Sequence, residues 1–140
     1  MIKSKQDLMH YLEADRLSLG FQTAKPALYG DWIWKFERLL REREFRLNRP
    51  KPSMSSPMAK YNAYKLSELG LRLGFTIPPN VFGPGLSIAH CGTIIVNDCA
   101  RIGKNCRIHA GAHIGVRAGT TSEAPVIGDN VYIGPGAKIF

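Results

Sequence analysis

Three histidines and three cysteines crowd into one short stretch of this 140-residue chain: His90, His109 and His113, with Cys91, Cys99 and Cys106. Neutral imidazole can take a proton at physiological pH, because its unperturbed pKa is about 6.5. His90 falls where an otherwise regular spacing of aliphatic residues is stretched, since Ile88 to Ile102 is fourteen residues, two units of six plus two. Such an irregularity can re-aim a side chain toward a ligand, and a core or structural histidine fits the same spacing. Cys91 beside it would suggest a Cys–His nucleophile. Neighbours in a strand face opposite sides, however, which argues against that pairing. There is no CxxC pair and no export signal, so free thiols are expected in place of disulfides or a zinc knuckle. Cys106 reads as a small hydrophobe in an interior.

The elements that must hold these residues show in a six-residue period. Units open at Val96, Ile102, Ile108 and Ile114, and after an interruption at Ile127, Ile133 and Ile139. The first position is Val or Ile, the fifth is Ala, Cys or Val, and Gly fills the second in four of the six complete units. A large and a small side chain four apart can both point into a narrow prism, with the turn residue free of Cβ conflict. Stacked coils would then bury a continuous aliphatic ladder that one coil could not. The break at Gly119-Thr120-Thr121-Ser122-Glu123-Ala124-Pro125 reads as a protruding polar loop.

Residues 1–75 have a different character, with 14 Lys and Arg against 8 Asp and Glu and only 4 Gly, whereas residues 76–140 hold 10 Gly. The boundary is expected between Phe75 and Pro79, giving a helical N-terminal subdomain over 1–75 and a coil over 76–140. Ser4 can start a helix over Lys5 to Leu19 that Gly20 ends. Asp31 can cap a second helix with Ile33, Phe36, Leu39, Leu40 and Leu47 on one side and Arg38, Arg41, Glu42, Arg43 and Glu44 as a solvated face. A third runs from Met58 toward Gly74 through Tyr61, Tyr64, Leu66, Leu69 and Leu73, after a linker at 51–57. The net charge of +8 and the mixture of Trp32, Trp34 and basic residues raise the question of nucleic acid. Interleaved Glu37, Glu42 and Glu44 favour a solvated face, and no nucleic-acid partner is expected. No apolar run approaches the roughly 20 residues of a membrane span, and no signal-peptide pattern follows Met1, so a cytoplasmic location is expected.

The residues Gly83 to Val96, Ile102 to His109 and Val131 to Ile139 resemble the hexapeptide-repeat acyltransferases, most closely the serine O-acetyltransferase type and its short members associated with polysaccharide synthesis. The resemblance covers 76–140 and, less specifically, the helical preface around Tyr11 to Arg16. It implies a left-handed parallel β-helix with three units per coil, acetyl-CoA as co-substrate, a small hydroxyl acceptor, no metal, and a homotrimer with active sites between subunits. His90 corresponds to the family's general base, a role typically worth about 10²–10⁴-fold in rate. Thr120, Thr121, Ser122 and Glu123 correspond to a loop flanking the acetyl-CoA cleft. Lys104, Arg107, Arg117 and Lys138 are expected to face solvent, where any could meet the phosphates of CoA.

Three positions depart from the family's pattern. Ala89 stands where an acid precedes the base, Phe75 where another acid lies a coil earlier, and Ala124 where a second histidine precedes a proline. Asp98, Glu123 or a backbone carbonyl are the groups left to orient His90. Serine is the acceptor implied by the resemblance, and a sugar hydroxyl is the alternative that these departures raise. His90, His109 and His113 also resemble the zinc ligands of carbonic-anhydrase-like members of the fold, although their spacing differs. A non-catalytic scaffold of the same repeat is the remaining alternative. A further unit opens at Ile139-Phe140, so more coils are expected beyond it.

Overall fold

The computed structural model describes residues 1–49, 55–119 and 123–140. Helix α1 (Lys5–Leu19) starts where the Ser4 hydroxyl accepts the Asp7 N–H and the Asp7 carboxylate accepts the Ser4 N–H in return, and it stops at Gly20, whose φ is 81°. Helix α2 (Trp32–Leu47) follows Asp31, but not by the side-chain cap that the sequence suggests. Asp31 has a φ of 48°, and its carboxylate accepts the Ala27 N–H at 2.7 Å, turned back into the preceding loop. Helix α3 (Pro57–Leu73) is capped by Ser56, whose hydroxyl accepts the Ala59 N–H, and ends at Gly74 with a φ of 82°. A Cβ at Gly74 would lie 2.9 Å from the backbone of Gly92, so this glycine also lets a corner of the coil approach the helix end.

Nine short strands follow: β1 (Phe75–Thr76), β2 (Ser87–Ile88), β3 (Ile94–Val96), β4 (Arg101–Ile102), β5 (Arg107–Ile108), β6 (His113–Ile114), β7 (Val126–Ile127), β8 (Tyr132–Ile133) and β9 (Lys138–Ile139). Strands β1, β3, β6 and β9 form a first face, β4 and β7 a second, and β2, β5 and β8 a third, all parallel. Phe82 bridges to Ile102 and supplies the second face of the first coil. The chain visits the faces in the same order on every turn, as a parallel β-helix.

Register explains the period. Ile88, Ile108 and Ile133 stack in one file, Val96, Ile114 and Ile139 in another, and Ile102 on Ile127 in a third. The small fifth-position residues Ala100, Cys106 and Ala112 are buried between them. Each large aliphatic side chain in such a file contributes about 1.5–3 kcal/mol by leaving water. The unit opening at Ile114 is not completed, because Ala118 is exposed and the chain leaves the coil after β6.

The helices cover the open edge of the first coil, and they do so with charge. Asp15, Glu37, Arg41 and Glu44 are all buried, so Arg41 and Glu44, expected on the solvated face of α2, lie against the coil, while Arg38, Glu42 and Arg43 of that face are half-buried. The Arg41 guanidinium donates to Asp15 at 2.7 Å, to Glu44 at 3.0 Å, and to the carbonyls of Phe82 and Gly83 at 2.9 and 2.7 Å. Asp15 accepts the N–H groups of Gly85 and Leu86, Glu44 that of Asn80, and Glu37 that of Ile88. These are backbone groups that a preceding coil would otherwise pair. Burial alone pulls the Arg41 pKa down, but Asp15 and Glu44 outweigh it and hold it above its ordinary value. Apolar contact adds to this seam, since Phe36 meets Phe75 edge to face at a centroid distance of 5.1 Å. On α3, Ala59, Asn62, Gly70 and Leu73 are buried, whereas Tyr61 and Tyr64, expected on the packed side, are exposed.

Candidate functional site

Besides the loop between β6 and β7, the period is stretched at one corner. From Ile88 to Val96 is eight residues, whereas the same passage from third face to first takes six between Ile108 and Ile114 and between Ile133 and Ile139. The stretched corner carries His90, Cys91 and Gly92. Gly92 has a φ of 136°, and a Cβ there would lie 2.9 Å from the Ala110 side chain in the coil below, so the wider turn is seated directly on its neighbour. Backbone bonds fix both ends: Ala89 N–H donates to Ile108 at 2.9 Å, and Gly92 N–H to Leu73 at 2.9 Å.

His90 is exposed at this corner. Its ring lies 5.8 Å from that of His109, which lies 5.1 Å from Tyr132, so three rings line up across successive coils. Tyr132 escapes the sequence reading, although its place just before Ile133 marks an outward position in register with Arg107. The Arg107 guanidinium donates to the Ser87 hydroxyl at 3.1 Å and sets a fixed positive charge on the third face. A cavity of about 300 Å³ adjoins the corner, with Phe21, Trp34, Ser87, Ala89, Cys91 and Arg107 in its walls. Lys104, Arg107, Arg117 and Lys138 are exposed, and Lys104 pairs with Asp129 at 3.6 Å.

The other expected site residues are elsewhere in the chain. Asp98 occupies an exposed turn after β3, between the first and second faces, where its carbonyl accepts from Arg101 at 2.9 Å. Glu123 is exposed in the loop between β6 and β7, which spans those same two faces. Thr120, Thr121 and Ser122 lie outside the described residues. Within one chain the structure therefore does not bring Asp98 or Glu123 to the His90 corner. Ala124 packs on the apolar core and Phe75 is part of it, so both positions are fillers of the prism. Cys106 is buried, and desolvation pushes its thiol up to about 11, while Cys91 and Cys99 are exposed free cysteines. Among the described residues no three His, Cys, Asp or Glu side chains gather as a metal site.

Fold and corner together define a helix-capped β-helix of six-residue units with a histidine on a stretched, solvent-facing turn. No family model and no curated protein sequence matches the chain. Solved structures do. A serine acetyltransferase from Brucella abortus strain S19 superposes with a TM-score of 0.68 at 21% identity, over 96% of this chain and 54% of that one. Soybean serine acetyltransferase complexed with serine gives 0.72 at 19% identity, over 96% and 55%. A serine acetyltransferase complex with CoA gives 0.64 at 18%, over 95% and 53%. The chain thus has the fold of serine acetyltransferases, helices included, and spans about half the length of those structures. No helix among the described residues is long and apolar enough to cross a membrane.

Proposed function

We propose that this chain transfers the acetyl group of acetyl-CoA to a hydroxyl acceptor, with His90 as general base. The observation that carries this reading is an exposed histidine on a widened corner of a coil whose fold is that of serine acetyltransferases. Neutral imidazole accepts the proton of the acceptor hydroxyl as its oxygen attacks the thioester carbonyl. The tetrahedral intermediate collapses, the C–S bond breaks, and the imidazolium returns the proton to the departing thiolate of CoA. No covalent enzyme intermediate forms. The likeness to a structure with CoA bound supports acetyl-CoA as the donor.

The active unit in this reading is a homotrimer of left-handed coils. His90 lies between the third and first faces, while Asp98, Arg117 and Glu123 lie between the first and second. Side-by-side packing about a threefold axis is an arrangement that lets one chain's histidine corner meet its neighbour's loop corner.

Serine is the acceptor that the structural relatives suggest. A sugar hydroxyl is the second reading, and a specific observation favours it: Phe75 is buried against Phe36, Ala124 packs on the core, and neither offers a charged group to an amino acid. Free-thiol release from acetyl-CoA, measured with serine and with a panel of sugars and nucleotide-linked sugars, tests both. Release that depends on one acceptor class assigns it, and absence of release with every acceptor overturns the enzyme reading.

A further inference from the structure

Strand β2 is the edge of the third face, and its N–H groups alternate in direction. Ser87 and Ala89 donate to the second coil, at Cys106 and Ile108, over 3.0 and 2.9 Å. Ile88 donates the other way, to the Glu37 carboxyl of α2 at 3.2 Å. Two residues later the chain reaches His90. The corner is thus held to the helical layer at its entry by Glu37 and at its exit by the bond from Gly92 to Leu73. A hydrogen bond from a rigid helix is what fixes the direction in which a short turn leaves a strand, and small misplacements of a base weaken proton transfer.

We infer that Glu37 is a positioning residue for His90, fixing through the Ile88 N–H the path of the corner that carries the base. The inference rests on the proposed role of His90. Glu37 is fully buried, and its second carboxyl oxygen has no hydrogen-bond partner among the described residues. The Trp34 indole N–H, one turn earlier on the same helix, is likewise buried without a partner among the described residues. The groups that act electrostatically on Glu37 are Asp15 of α1 and Arg41 of α2, and β2 presents it with a backbone N–H. Burial first, and the Asp15 charge second, push its pKa well above the ordinary range and favour the uncharged acid. An amide carbonyl can accept the same bond. A hydrocarbon side chain cannot.

The test compares wild type, Glu37→Gln and Glu37→Leu by amide hydrogen exchange at Ile88 and by steady-state acetyl transfer. Glu37→Leu is expected to speed exchange at Ile88 about tenfold and to lower kcat about tenfold, the effect of one lost hydrogen bond, with KM for acetyl-CoA held within about twofold. Glu37→Gln is expected to restore both exchange and kcat. Unchanged kcat in Glu37→Leu, or a Gln variant no better than Leu, overturns the inference. If Glu37→Leu does not fold, Glu37→Gln decides alone: fast exchange at Ile88 or lost kcat counts against the inference, and wild-type behaviour supports it. If wild type transfers no acetyl group, the proposed function fails separately. Ile88 exchange and the NMR shifts of the His90 ring then decide whether Glu37 sets the corner.

Discussion

The seam between helices and first coil and the seams between successive coils cover the same kind of surface by opposite means. Coil on coil, Ile meets Ile and backbone meets backbone in register. Helix on coil, buried Asp15, Glu37, Arg41 and Glu44 supply the acceptors and donors that a strand would have supplied. A helix spends its interior backbone bonds internally, so away from its end, where the Leu73 carbonyl accepts from Gly92, it closes an open strand edge with side chains. The difference shows why this terminal cap is charged while the ladder beneath it is aliphatic.

Arg41→Ala should break the comparison most severely, because it leaves Asp15 and Glu44 buried without their cation. A loss of about 3–5 kcal/mol in urea unfolding is expected. A loss under about 1 kcal/mol, the range of exposed pairs, would mean that the seam is wet. On the other side of the comparison, Ile108→Ala removes the middle of an Ile file and should cost about 2–5 kcal/mol by the same measurement, through lost transfer energy and the cavity left behind.

Glu37→Gln sharpens the comparison through pH. The buried acid keeps its proton in the folded state while the unfolded chain loses it above the ordinary value of 4.5, so wild type loses stability as pH rises from there toward the raised value. The Gln variant does not titrate. Its stability relative to wild type should therefore climb by up to about 1.4 kcal/mol per pH unit across that window, and a constant difference from pH 4.5 to 8 would contradict the assignment. The smallest effect is chemical labelling of the native protein by a thiol reagent. Cys91 and Cys99 should react while Cys106, buried with its thiol pushed up to about 11, stays protected until unfolding.

Periodicity made the coils legible in sequence, because an inward Val or Ile every six positions leaves a mark on residue type. The ends of α1 were equally legible in Ser4 and Gly20. The polar seam was not. Glu37, Arg41 and Glu44, at steps of four and three on one face of α2, have the signature of a solvated stripe, and their partners are backbone groups that carry no residue identity. Asp31 looked like a helix cap but bonds backward to Ala27, a choice set by loop geometry. At the candidate site, the lengthened spacing around His90 could be counted, whereas the alignment of His109 and Tyr132 beneath it follows from register between coils.

The most direct test compares the stretched corner with the regular one below it. Rates of acetyl transfer are measured for wild type, His90→Ala and His109→Ala with the same acceptor. A base on the stretched corner predicts that His90→Ala loses about 10²–10⁴-fold while His109→Ala stays within about tenfold. Equal losses in the two variants, or activity unchanged in His90→Ala, would contradict it.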